Sequence, residues 1–275
     1  MNLAAALLVG YLLGSGAAVD MVEQGITESV RDSLGLPPEC KIVTTVHLNS
    51  RGSLATGMVE VAEVDMDGAD LDSLQWASGG APSAEGNLRG RIGEVRVTLH
   101  WAVTEGFVIE RLTFLIEGVE YNLGKIMVGG GLSVTSAGAC RTEVAVDPRE
   151  VAEYIDGRSR MLNEVKFLLL EDGEVMLQGR VGAGRVSPSV EVRGRLEMVD
   201  GVGMEVTDAT LRFGGVPVPG FVARRIMTEI NPVLGLEKGS FLAGVLPAGS
   251  VGFEDGRIVI KGEGALPFFA AAATG

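Results

Sequence analysis

A period of two in the apolar residues constrains this chain more than any other feature. Val95, Val97, Leu99, Trp101 and Val103 alternate with Glu94, Arg96, Thr98 and His100. Successive side chains of a strand point to opposite faces, so this stretch is predicted to be a strand with one buried and one wet face. The same rhythm recurs over 42–48, 58–66, 107–116, 119–128, 165–169, 175–181, 190–198 and 204–213. Successive strands with short turns predict an antiparallel meander. Residues 251–253 and 258–260 flank Glu254-Asp255-Gly256, whose Asp-Gly pair suits a tight hairpin. Within 58–66 the alternation slips between Val61 and Val64, which predicts a bulge near Ala62 and Glu63.

Three segments change period. Val19, Val22, Ile26, Val30 and Leu34 fall three or four apart, with Asp20, Glu23, Gln24, Thr27, Glu28 and Arg31 on the other face. That spacing predicts an amphipathic helix, stopped by Gly35 and Pro37-Pro38. Asp147-Pro148-Arg149-Glu150 has the form of a helix start, with Asp as N-cap, and predicts a second helix to about Asp156. A third begins near Pro219-Gly220, carries Phe221, Val222, Ile226 and Ile230, and stops at Asn231-Pro232. Residues 67–91 are polar, hold Gly79-Gly80-Ala81-Pro82-Ser83, and read as a long loop insert.

Glycine fills 40 of 275 positions, about twice the usual ~7%. Glycines in and beside strands permit bends and bulges. The predicted fold class is therefore α+β: a strongly curved, mostly antiparallel β-sheet wrapping one long amphipathic helix, with two shorter helices. The expected organisation is an apolar leader at 1–18, a single domain over 19–264 and an apolar tail at 265–275. The leader resembles a signal peptide or tether, although no Lys or Arg precedes its apolar run. It is shorter than the ~20 residues of a membrane span. An extracytoplasmic, cell-envelope location follows as the expectation.

Charge and motifs exclude several functions. The chain has 23 Lys and Arg against 36 Asp and Glu, a net charge of -13, and no dense basic run. Nucleic acid is therefore not an expected partner, because phosphate affinity needs clustered positive charge. The same balance argues against docking on anionic lipid by charge alone. His47 and His100 fall at polar strand positions without metal-ligand spacing. No nucleophile elbow, phosphate loop or dinucleotide fingerprint is present, and Gly129-Gly130-Gly131 reads as a turn. Asp65, Asp67, Asp70 and Asp72 lack the glycine and glutamate of a calcium loop, and read as a solvated strand end. For Cys40 and Cys140, free thiols and a disulfide both stand open. No catalytic residue, metal or cofactor is expected.

One stretch is more specific. It runs from Asp208 through Val216-Pro217-Val218-Pro219-Gly220-Phe221 and a helix to Asn231-Pro232-Val233-Leu234. It continues through Leu246-Pro247-Ala248-Gly249 to the hairpin at Asp255-Gly256. This order resembles the LmeA-like phospholipid-binding family of bacterial cell-envelope proteins. Val144-Ala145-Val146-Asp147 before a helix, and the strand after Glu171-Asp172-Gly173, fit as well. The resemblance covers roughly 19–264 and is strongest from Leu162 onward. The leader without a basic residue and the insert at 67–91 depart from it.

The resemblance implies a non-enzymatic protein of tubular lipid-binding-like architecture that binds or transfers phospholipid in an apolar groove and touches the membrane surface transiently. A curved sheet with helices against it could form such a trough, lined by Ile26, Val30, Leu34, Trp101, Leu112 and Phe114, with Val218, Phe221 and Ile226 at its mouth. Each buried acyl methylene contributes ~0.8 kcal/mol, so binding is expected to depend little on salt and to need no anionic surface. The rival readings are a structural or interaction protein of the envelope without a lipid cavity, and a hydrolase with an unmarked site.

Overall fold

The alternating segments form strands in a computed structural model, which describes residues 16–34, 36, 40–50, 53, 57–71, 89–104, 107–124, 134–182, 188–199, 203–235 and 249–264. The helices are α1 (Gly16–Leu34), α2 (Pro148–Arg158) and α3 (Gly220–Ile230). The first strands are β1 (Ile42–His47), β2 (Met58–Asp67), β3 (Arg89–Thr104), β4 (Phe107–Asn122), β5 (Val134–Ser136) and β6 (Cys140–Val146). Next come β7 (Leu162–Leu169), β8 (Glu174–Val181), β9 (Ser189–Val199), β10 (Gly203–Phe213), β11 (Val216–Pro217) and β12 (Leu234–Gly235). The hairpin β13 (Ser250–Glu254) and β14 (Arg257–Gly264) comes last.

The fold is α+β and mostly strand. One sheet has the order β1-β2-β3-β4-β6-β14-β13, with β5 on β4. The other has the order β11-β10-β9-β8-β7, with β12 on β10. Both are open and neither is strongly curled, so the structure supports the expected class without the curl or the enclosed helix. The glycines counted as bending the sheet have local duties instead. A Cβ on Gly194 would lie 2.5 Å from the Thr207 carbonyl oxygen. There the β9–β10 register shifts between Thr207 and Thr210, and Asp208 takes φ 50°.

The chain divides into two units, and β3, β4, β6 and β14 run through both. In the first unit (Met1–Ala102, Leu112–Thr142, Glu263–Gly275) α1 packs on β1. Val22, Gly25 and Ile26 are buried there, and the Val46 N–H donates to Glu23 Oε1 at 2.9 Å. β1 pairs antiparallel with β2, but β2 pairs parallel with β3. This corrects the expected meander. A parallel pair needs a crossover of a dozen or more residues, and the polar insert stands at that point in the sequence. The insert is also shorter than 67–91, because Asp67 belongs to β2 and Arg89 opens β3. Its interior, 72–88, lies outside the described residues, as do most of the leader and the tail.

The bulge expected at Ala62 and Glu63 is absent, because the β1–β2 register runs unbroken from Val61 to Met66. Burial changes phase one step earlier, from Val59 to Ala62. The strands expected at 107–116 and 119–128 are one strand to Asn122, continuous through Gly118 at φ 62°.

The second unit (Val103–Arg111, Glu143–Gly262) holds α2, α3 and the smaller sheet. Asp147 caps α2 as its sequence requires, accepting the Arg149 N–H at 2.8 Å. Arg158 lies 5.2 Å from the centre of the Tyr154 ring and donates to the carbonyls of Ile230 and Pro232. It thus ties the end of α2 to the end of α3. Asn231 bonds to both the N–H and the C=O of Val206, so a side chain satisfies backbone groups of β10. The Asn231–Pro232 peptide is cis. The Asp255-Gly256 hairpin forms where the sequence placed it.

Candidate functional site

The residues expected to line a groove fall into three environments. Ile26, Leu112 and Phe114 in the first unit, and Ile226 in the second, are exposed by 3% or less and belong to the core. Val30 and Val218 are half-buried. Leu34 ends α1, and its side chain lies outside the described residues. Trp101 and Phe221 face solvent, at 57% and 71% exposure. Four of the nine are therefore buried among other side chains.

Trp101 needs a correction of phase. Leu99 is buried, but the next buried positions are Ala102 and Thr104 instead of Trp101 and Val103. Trp101 has φ 54°, a left-handed conformation that is rare for a bulky residue. The turn it introduces shifts the alternation by one residue. The inward phase read from Val95, Val97 and Leu99 therefore ends at Leu99.

Among the described residues, the second unit has four exposed large apolar side chains, Val103, Leu168, Val216 and Phe221. The two most exposed, Val216 and Phe221, lie where β10 passes through β11 into α3. Gly214 and Gly215 turn the chain with φ 57° and 83°, the left-handed pair that a two-residue hairpin turn requires. Val216 pairs with Phe213, and Pro217 with Arg212. Pro219 then starts α3, where the N–H of Val222 and that of Ala223 both reach the Pro219 carbonyl. Ile226 and Ile230 turn inward and anchor the helix. Val216, at 66% exposure, and Phe221 are left on the outside of this corner. Val216 is thus held by its pairing with β10, and Phe221 by the first turn of α3.

Charge at the corner departs from the rest of the chain. Between positions 209 and 228 there are three arginines, Arg212, Arg224 and Arg225, and no Asp or Glu. All three are exposed, and none makes an ion pair among the described residues. Sequence reading passed over these arginines because it weighed net charge; the missing signal was the acid-free window.

Beside the corner, the outer face of the smaller sheet carries a half-open depression of about 290 Å³. Lys166, Gln178, Glu191 and Arg212 cross it as one row of register partners on four adjacent strands. Arg180 on its rim pairs with Glu164 at 3.2 Å. Its lining is polar and of mixed sign, which suits water and ions and does not suit an acyl chain.

The two histidines each lie near a carboxylate of β2. His47 approaches Glu63 at 3.3 Å, and His100 approaches Asp65 at 3.8 Å. No group of three or more His, Cys, Asp or Glu among the described residues could hold a metal ion. Neither Cys40 nor Cys140 forms a disulfide, and burial pushes the Cys140 thiol above its ordinary range. No described helix is long and apolar enough to cross a membrane. No family model matches the chain, and neither does any curated protein or solved structure.

Proposed function

We propose that this protein binds phospholipid without catalysis in the bacterial cell envelope, and that it meets acyl-chain lipid at the corner between β11 and α3. The observation that carries this reading is the outward position of Val216 on β11 and Phe221 on α3, at 66% and 71% exposure. Water penalises large apolar side chains in the open, and an acyl layer relieves that penalty. The resemblance of roughly 19–264, strongest from Leu162 onward, to LmeA-like proteins supports the same reading, and so does the signal-like leader.

The packing of Ile26, Leu112, Phe114 and Ile226 favours a second reading, an envelope interaction protein whose corner docks a protein partner. Vesicle co-sedimentation separates the two. The full chain should sediment with phospholipid vesicles, and F221S with V216S should lower the bound fraction at least tenfold while leaving the circular dichroism unchanged. Vesicle binding that is absent, or that ignores both substitutions, removes the lipid reading of this corner.

A further inference from the structure

The corner carries a charge pattern whose meaning differs from that of the chain as a whole. On α3 successive residues are about 100° apart, which places Arg224 about 60° to one side of Phe221 and Arg225 about 40° to the other. All three are exposed, as is Thr228 one turn further on. Ile226 and Ile230 occupy the opposite, buried side. An outward aromatic at the helix start is thus flanked, one turn later, by two guanidinium groups. Arg212 stands on the exposed side of β10, next to the turn that leads into Val216.

Resting on the lipid reading above, we propose that this corner docks on an anionic lipid bilayer. Phe221 and Val216 enter the acyl boundary, while Arg224 and Arg225, aided by Arg212, engage headgroup phosphates. Amphipathic arginine suits this position, since its stem follows apolar surface while its head stays at the wet boundary. Guanidinium also pairs with phosphate oxygens through two parallel hydrogen bonds.

The net charge of -13 does not oppose this. At physiological ionic strength the Debye length is about 8 Å, so carboxylates on distant faces are screened from the surface that the corner touches. Locally the sign is positive over 209–228, and the nearest carboxylates are Glu191, the register partner of Arg212, and Glu229, one turn beyond Arg225 on α3. Glu191 offsets part of the Arg212 charge and Glu229 part of the Arg225 charge, so Arg224 and Arg225 together leave a net positive helix start. The earlier expectation that binding would be indifferent to salt and to anionic lipid is revised accordingly.

The test uses the full chain with vesicles of phosphatidylcholine alone, or of phosphatidylcholine with phosphatidylglycerol. The mixed vesicles should bind more tightly, and added salt should weaken that binding. A basic side chain near an anionic surface contributes about fivefold in partitioning, so R224Q/R225Q should lose about 25-fold on mixed vesicles and little on neutral ones. R160Q, which removes an exposed charge elsewhere, should leave binding unchanged. Equal binding of the unaltered chain to both vesicles, or no loss in R224Q/R225Q, overturns the anionic assignment while the lipid reading stands. Binding to neither vesicle removes the lipid reading and this inference together. Soluble polyglutamate that binds as tightly as mixed vesicles, with F221S inert, also overturns it and makes the partner an acidic protein.

Discussion

Tyr121 shows how strictly single positions are determined here. Its side chain is fully buried, its hydroxyl donates to the Gly57 carbonyl at 3.2 Å, and its ring lies over Gly90 of β3. A Cβ on Gly90 would come within 2.3 Å of that ring. Burial pushes the Tyr121 phenol from 10.0 to about 12, since the interior disfavours the phenolate. The neutral form is thus favoured by folding, and that contribution is present below pH 10 and lost as pH rises toward 12. Replacing Gly90 with Ala should cost about 1–3 kcal/mol in urea denaturation. It should also bring the Tyr121 titration, followed by ultraviolet absorbance, back toward the ordinary value. An unchanged stability and titration would mean that the ring moves aside freely. Sequence placed Tyr121 in a strand but Gly90 in the loop insert, and their contact comes from chain pairing across about thirty residues that could not be read locally.

Strands were the most legible elements, and their irregularities the least. Local periodicity reports which residues alternate, but it cannot report a left-handed residue that resets the phase. Trp101, Glu164 and Asp208 have φ of 54°, 55° and 50°. The Glu164 and Asp208 positions coincide with breaks in strand register. At Trp101 the consequence is that an apolar ring faces solvent. Replacing Trp101 with Gly should therefore change stability by less than about 1 kcal/mol, because relief of the left-handed strain offsets the lost backbone restriction. Leu99→Ala, two residues upstream in the buried phase, should lose about 2–5 kcal/mol in the same urea titration. A larger loss at position 101 than at 99 would restore the uninterrupted inward phase. β6 was missed for a related reason. Its closing Val144, Ala145 and Val146 are all buried, so the alternation that marks a one-sided strand stops there.

Charge acts on the chain in two opposed ways. A net charge of -13 makes the folded state repel itself, and salt screens that repulsion. Moderate sodium chloride should therefore raise the thermal midpoint. The same salt should weaken attachment to anionic vesicles, because there it screens an attraction between the corner arginines and phosphate. Opposite signs for the two effects, read by calorimetry and by co-sedimentation on one preparation, are the expected result. Parallel trends would place the docking charge elsewhere.

The identity of the elements lay in the amino-acid order: period two for strands, three to four for α1, Asp-Pro and Pro-Gly starts for α2 and α3, Asp-Gly for the last hairpin. Those are short-range properties of backbone and side-chain geometry, and each acts within a few residues. Long-range pairing decided the rest. It made β2 and β3 parallel, divided the strands between two open sheets and put Ile26, Leu112, Phe114 and Ile226 into the core. It also left Phe221 on the surface while Ile226, five residues on along the same helix, is buried. Both residues belong to one apolar pattern in the sequence, and only the packing of α3 against its own unit determines which of them meets water.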